Sequence, residues 1–297
     1  MTRPEAVLLA ANCMYATSYA ATRLTLDEVG PATLAWLRLA IGALVLLPLA
    51  RAHPEGPAPA PMSTGDRWRV AWMGILGFAG AVGLSHWGIA RSTATNAALL
   101  ITVEPIALIV LSPVLLGERL RRREQIGAAA ALAGAGLVVV NGVPGVTHAF
   151  APHWRGDLLL VLAGLAYASY SLLGRGVLMR HSPTAVTAWS ILAGAIAMLP
   201  PASLEWAHAG SPRVTASAVI GTLYLALVVT ALGYLAWNYA LQRVSAPRAA
   251  IFLNVQPLVG ALLGVLWLGE ELTRFTVAGG ALILVGLWLS VNPRGAR

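Results

Sequence analysis

Two ionisable residues stand in long apolar surroundings. Arg38 lies about seven residues past Pro31, at the start of an apolar run. On a helix that is roughly 10 Å below the helix end. An ionised side chain at such a depth in hydrocarbon costs at least about 2.5–3.5 kcal/mol unless it is paired or hydrated. Arg38 therefore reads either as a contact for a substrate carboxylate or a gate, or as a snorkelling or structural Arg that ties helices together. Glu104 is the one carboxylate deep in an apolar segment, roughly 16–20 Å from the segment's outer end. It suits a proton carrier. It also lies within roughly 6–10 Å of Arg38 in depth, near the reach of an Arg side chain, and the cost of an unpaired Arg38 favours an ion pair between them.

Pro105 follows Glu104, and Pro257 follows Gln256. Each proline removes a backbone donor, so the carbonyls of Ile101 and Leu253 lose their usual partners. Free carbonyls at membrane depth are tolerated only where protein or water satisfies them. The two breaks read as the walls of a rocking cavity, or as static packing kinks. Glu104, Arg38, Pro105 and Pro257 form the candidate coupling or gating set.

Polar and aromatic side chains supply a candidate lining. Asn12, Tyr15, Ser18 and Tyr19 recur at i, i+3, i+6 and i+7, one face of a helix. Tyr167, Tyr170 and Ser171 repeat the pattern, and Tyr234, Trp237, Asn238, Asn254 and Gln256 add to it. His86 and Trp87 lie near the end of their segment, where a hydrogen-bonded helix contact fits His86 better than a proton relay. Mid-membrane polar faces point into a bundle or a water cavity.

The sequence shows no catalytic constellation. Ser85 and His86 are neighbours, about 100° apart on a helix, so they form no nucleophile–base pair. There is no H-E-x-x-H pair and no Walker motif. Cys13 is the only cysteine, which excludes an intrachain disulfide and a Cys-based metal site. No enzyme activity, metal or cofactor is expected.

The elements that must position these residues follow from composition. Of 297 residues, 58% are apolar and 11% charged, against roughly 45–50% and 25% in soluble domains. Ten apolar segments are predicted as transmembrane helices, at 5–22, 32–50, 69–90, 94–116, 124–141, 157–178, 184–200, 214–240, 247–268 and 274–291. Ten spans use about 200 residues, which leaves no room for an ordinary soluble domain. The seventh segment is short and extends into its flanks or tilts. The first resembles a signal peptide, a reading rejected because it has a twin later in the chain.

The chain is an ungapped internal duplication with an offset of 152 residues. Tyr15 matches Tyr167, Arg23 matches Arg175, Pro31 matches Pro183, Pro105 matches Pro257, and Gly117-Glu118 matches Gly269-Glu270. Arg38 is matched by Ser190 and Glu104 by Gln256. Five spans per half are odd in number, so the halves are expected to insert with opposite polarity, as an inverted 5+5 repeat. Of 20 Arg and no Lys, 14 fall on one side of these spans and 5 on the other, with Arg38 inside. The positive-inside rule makes the richer side, and both termini, cytoplasmic. That bias accounts for the net charge of +8 without nucleic acid. Glu118 and Glu270 read as local charge pairs or lipid contacts, and Gly127, Ala131 and Ala135 as a small-residue stripe for a dimer or an internal face.

The stretch Leu99–Leu120, LLITVEPIALIVLSPVLLGERL, and its twin Ile251–Leu272, IFLNVQPLVGALLGVLWLGEEL, carry a mid-span Pro followed about twelve residues later by Gly-Glu. They resemble the EamA-type domain of the drug/metabolite transporter superfamily, as does Leu34–Pro48 with its Arg38. The resemblance covers residues 5–141 and 157–291, one domain in each half. It implies an all-α polytopic membrane protein with ten transmembrane helices, two domains packed as an inverted pair around a central cavity. It implies a secondary transporter exporting a small organic metabolite, such as an amino acid. A channel or a lipid-moving protein is the alternative. The expected partners are a small-molecule substrate, the lipid bilayer and a homodimer mate. Zero Lys beside abundant Ala, Gly and Pro points to a GC-rich bacterium, and so to its cytoplasmic membrane.

Overall fold

In lipid the backbone must close its own hydrogen bonds, and within an apolar run the helix does so. The computed structural model describes residues 2–52, 62–116, 121–141, 143, 153–210, 214–241, 243–244 and 252–291, with the backbone alone at 112–116, 175, 238, 241 and 291. All regular structure among them is helical. The first half holds α1 (Arg3–Thr25), α2 (Pro31–Ala52), α3 (Thr64–Trp72), a π-helical run π1 (Met73–Gly80), α4 (Ala81–Ile89), α5 (Ala94–Leu100), α6 (Val103–Leu116) and α7 (Arg122–Asn141). The second holds α8 (Trp154–Leu178), α9 (Pro183–Ala209), α10 (Ala216–Leu223), π2 (Tyr224–Leu232), α11 (Gly233–Leu241), α12 (Val255–Leu268) and α13 (Arg274–Val291).

The duplication is visible in the element boundaries. Helices begin at 64 and 216, at 103 and 255, and at 122 and 274, each pair offset by 152, and the two π runs fall at matching places. Seven helical runs are long and apolar enough to cross a membrane: Pro31–Ala52, Thr64–Ile89, Ala94–Leu111, Arg122–Asn141, Trp154–Gly174, Pro183–Ala209 and Ala216–Trp237. Among the expected spans, α1 falls outside that set, being rich in Thr, Tyr and Ser and charged near both ends. Val255–Leu268 and Arg274–Ser290 are apolar but shorter.

Polar caps start many helices. Thr2 and Glu5 form a capping box on α1, and Ser63, Thr93, Ser182 and Thr215 accept from backbone N–H groups of α3, α5, α9 and α10. The seventh segment, expected to end at 200, runs as helix to Ala209 through Pro200 and Pro201. Its added turns carry Glu205 to the start of α2. There the Glu205 carboxylate accepts from Ala32 N (2.9 Å), Thr33 N (3.2 Å) and Thr33 Oγ1 (2.7 Å). Gly30 precedes α2, so the helix has no capping side chain of its own, and the space a Cβ would fill there is occupied by Glu205.

Small residues set the closest approaches. Any Cβ at Gly134 would meet the Gly279 carbonyl and the Ile283 amide, and one at Gly127 would meet Ser290 and the Gly286 carbonyl. The stripe of Gly127, Ala131 and Ala135 is thus an internal contact between α7 and α13, of the two uses expected for it. The same geometry yields a test. Gly134→Val must displace the α13 backbone and is expected to destabilise the protein by about 1–3 kcal/mol. Gly136, one turn-face away with nothing within 4 Å of an added Cβ, should accept Ala with unchanged or slightly higher stability. Thermal unfolding of the purified variants in detergent distinguishes the two.

Candidate functional site

Pro105 does break its helix, and the break has a defined form. The chain turns at Ile101 and Thr102 between α5 and α6. The Ile101 carbonyl, deprived of a donor at Pro105, accepts from Glu104 N at 3.0 Å, and the Leu99 carbonyl accepts from Thr102 Oγ1 at 2.5 Å. The twin break falls at Asn254. Glu104 and Gln256 therefore occupy the first turn of α6 and α12, at the free ends of half-helices inside the bundle.

These ends face a cavity of about 330 Å³ lined by both halves of the chain. From the expected lining the structure gathers Tyr15, Ser18, Tyr19, Arg38, Glu104, Pro105, Tyr167, Tyr170, Ser171, Tyr234, Trp237 and Gln256 around it. The aromatic wall is ordered by edge contacts: Phe78 against Tyr170 (5.2 Å) and Tyr234 (5.3 Å), and Tyr15 tilted on Tyr234 (5.8 Å). Tyr170 OH and Thr187 Oγ1 share a hydrogen bond of 3.0 Å. The Tyr15 hydroxyl is buried with no hydrogen-bond partner among the described residues.

Arg38 and Glu104 do not pair. Among the described residues no ion pair within 4.0 Å joins them, because Arg38 is held elsewhere. Its Nε donates to Thr230 Oγ1 at 2.9 Å, and Thr230 Oγ1 donates in turn to the Leu225 carbonyl, five residues back in π2. The wide π turn is what brings that carbonyl under the threonine. Arg38 Nε is the only part of the guanidinium with a protein partner among the described residues, and the side chain lines the cavity.

Other expected residues stand off the cavity. Asn12 is buried, its Nδ2 donating to the Leu8 carbonyl (2.8 Å) and its Oδ1 accepting from Gln256 Nε2 (2.9 Å). It anchors a lining residue instead of lining the cavity. His86 is buried beside Pro31 and Arg38, and among the described residues neither ring nitrogen makes a hydrogen bond of normal geometry. Trp87 packs in the apolar cluster around Met198 and Gly83. Asn254 and the buried Pro257 lie at the turn behind Gln256, and the Asn238 side chain lies outside the described residues.

Sequence reasoning missed Thr230, Ser85 and Thr102, short polar side chains in apolar runs that carry no periodic signal, and Thr22, which continues the face of Tyr15 and Tyr19 one turn further. It also missed cross-half carboxylates at the end of the bundle where α2, α5, α8 and α10 begin. Glu270 accepts from Ala94 N (2.7 Å) and Thr95 N (2.8 Å), so it caps α5 instead of pairing locally or meeting lipid. Its twin Glu118 lies outside the described residues. Asp157 accepts from Ser92 Oγ (2.5 Å) and Asn96 Nδ2 (3.1 Å) and contacts His153 Nδ1 (2.7 Å), while Ser217 Oγ donates to Glu28 (2.5 Å).

The duplicated helical bundle matches known proteins in sequence and in fold. The profile of the EamA-like transporter family matches twice, over residues 3–140 and 154–292. The chain belongs to this family. As an EamA-like transporter it is a multi-pass membrane protein. A probable terminal-alkyne amino-acid exporter of Streptantibioticus cattleyicolor is 28% identical over 286 residues, covering 94% of this chain and 90% of that protein. A probable amino-acid metabolite efflux pump of Salmonella typhimurium is 29% identical over 206 residues, 66% of each chain. An uncharacterised protein of Pseudomonas aeruginosa is 32% identical over 262 residues, 88% of this chain and 84% of its own. One crystal structure superposes with a TM-score of 0.64 at 22% identity over 97% of this chain and 96% of the other, a likeness of fold.

In this EamA-like cavity the orientation of Arg38 depends on one hydroxyl. Thr230→Val keeps the shape and removes both hydrogen bonds, and is expected to destabilise the protein by about 1–3 kcal/mol. Thr230→Ser retains the hydroxyl and should stay near wild type. Thermal unfolding of both variants, beside Arg38→Met in which the loss has already occurred, measures the coupling.

Proposed function

We propose that this protein is a secondary exporter of a small organic metabolite, an amino acid or a close analogue, working by alternating access. Its repeats, 5–141 and 157–291, each contribute five spans inserted with opposite polarity. The protein sits in a bacterial cytoplasmic membrane with both termini in the cytoplasm. The observation that carries this reading is Arg38: a cation at the wall of a cavity shared by both halves, held through Nε alone, with its terminal nitrogens free of protein partners among the described residues. Such a guanidinium offers two parallel N–H donors to a carboxylate. A volume of about 330 Å³ lies at the small end of organic-ligand sites, about 300–1,000 Å³. The tyrosines and Trp237 supply an apolar wall with polar edges for the rest of the molecule. The broken helices at Pro105 and Pro257 supply hinges on either side, since a half-helix end can rock without breaking a continuous ladder. The names of two relatives, a probable terminal-alkyne amino-acid exporter and a probable amino-acid metabolite efflux pump, agree with this substrate class.

Efflux from proteoliposomes loaded with a panel of metabolites tests the reading. Amino acids should leave, and their decarboxylated amines should not. Arg38→Ala is expected to lower efflux at least tenfold in protein that still purifies folded; normal efflux, or loss through misfolding alone, would remove the assigned role. Orientation is tested in a Cys13→Ala background. Single cysteines at positions 91 and 155 should react with an impermeant reagent from outside intact cells, and one at position 121 should not.

A further inference from the structure

The two repeats place different groups at the same position of their broken helices, and the neighbours differ with them. In the second half Gln256 is tied on both atoms of its amide. Nε2 donates to Asn12 Oδ1 at 2.9 Å, and Oε1 accepts from Tyr19 OH at 3.4 Å. In the first half the same position is Glu104, and it faces α8 where the residue matching Asn12 is Gly164 and the residue matching Tyr19 is Ser171. A Cβ at Gly164 would lie 3.2 Å from Glu104 N and from Val103 Cβ. The glycine lets α8 press against the break and offers no side chain to the carboxylate. Glu104 is left lining the cavity with no hydrogen bond or ion pair to its carboxylate among the described residues.

A carboxylate at this depth is costly unless it is paired, hydrated or neutralised by a proton. The repeat shows that a fixed amide serves the architecture equally well, since Gln256 does so. What the amide cannot do is exchange a proton. The charged and titratable groups that share the cavity are Arg38 on α2, Tyr15 and Tyr19 on α1, Tyr167 and Tyr170 on α8, and Tyr234 on α11. The helices behind Glu104 add no charge, α13 contributing only Leu287 and α7 nothing to the lining. Arg38 is directed to Thr230. Glu104 is thus the one acidic side chain in the cavity lining.

We infer that Glu104 is the proton-binding site that couples export to a proton gradient, with Gln256 as its permanently neutral counterpart. The inference rests on the transporter reading above. The carboxylate takes one proton from the outer solution when the cavity is open to it, forming the neutral acid, and releases that proton to the cytoplasm before substrate is carried out. No bond other than O–H forms or breaks. The half-helix ends at Ile101 and Asn254 allow the cavity walls to turn while Glu104 stays at its helix start.

Two measurements on the purified full-length protein test this. Infrared difference spectra between acid and neutral solution, taken as wild type minus Glu104→Gln so that the other carboxyl groups of the chain cancel, should show the carbonyl stretch of one protonated carboxyl, and the same subtraction from Glu104→Asp should show it too. In proteoliposomes, counterflow of radiolabelled L-phenylalanine, L-leucine or L-threonine reports substrate exchange without a gradient, and the gradient-driven efflux of each variant is divided by its own counterflow. Efflux driven by an acidic exterior should fall at least tenfold in Glu104→Gln and persist in Glu104→Asp. No carboxyl band in the wild type minus Glu104→Gln spectrum, or gradient-driven efflux that survives in Glu104→Gln, overturns the inference and leaves the transporter reading standing. No counterflow of any of the three amino acids by wild type overturns the transporter reading, and the coupling role falls with it.

Discussion

The hydrogen bond from Arg38 Nε to Thr230 Oγ1, 2.9 Å long, joins the two halves of the chain at membrane depth. In a bundle bounded by lipid no bulk water answers a buried polar group, so its partners must come from protein. Thr230 can accept from Arg38 because its own proton is spent on the Leu225 carbonyl, and that carbonyl is in reach because the helix widens to a π turn. Gly42 on α2 stands opposite Thr230, and a Cβ there would lie 3.0 Å from the threonine methyl. The pair, the π turn and the glycine are one device. It holds a guanidinium at the cavity wall by a single nitrogen.

A second set of bonds closes one end of the bundle. Glu205 caps α2 and Glu270 caps α5, both reaching from the second half to the first. Asp157 on α8 binds Ser92 and Asn96, and Glu28 binds Ser217. Helix N-termini carry unsatisfied N–H groups and a partial positive charge, which a carboxylate satisfies with both hydrogen bonds and charge. At this end α2 has no capping side chain of its own, so the acceptor has to come from a neighbour. At the opposite end Asp66 pairs with Arg180 at 2.6 Å and with His181 at 3.1 Å, tying the start of α3 to the turn between α8 and α9.

Broken symmetry separates the two halves in chemistry while conserving their backbone. The elements recur with one offset, the π runs recur, and the proline breaks recur. Among the side chains that do not recur, Arg38 against Ser190, Glu104 against Gln256, Asn12 against Gly164 and Thr230 against Phe78 are gathered in or around the cavity. A duplicated scaffold needs equal helix packing in both copies. It does not need equal polar groups, because a single shared cavity is lined once.

By itself the sequence determined the helical class, the register of the duplication, the prolines at which helices break, and most of the cavity's aromatic and polar lining. Each of these is a local property: apolar run length, the missing proline donor, and 3.6-residue periodicity act within one segment. Tertiary structure decided the partners. Arg38 and Glu104 lie close enough in depth to pair, yet Thr230, distant in sequence, captures the guanidinium. Asn12 shares a face with Tyr15 and Tyr19 but turns to Gln256, because α12 and not the cavity lies against it. Glu270 reads as a surface charge and instead caps α5. In each case the outcome depends on which helix is the neighbour and how closely glycine lets it approach, a relation between segments far apart in the chain that no pattern within one segment contains.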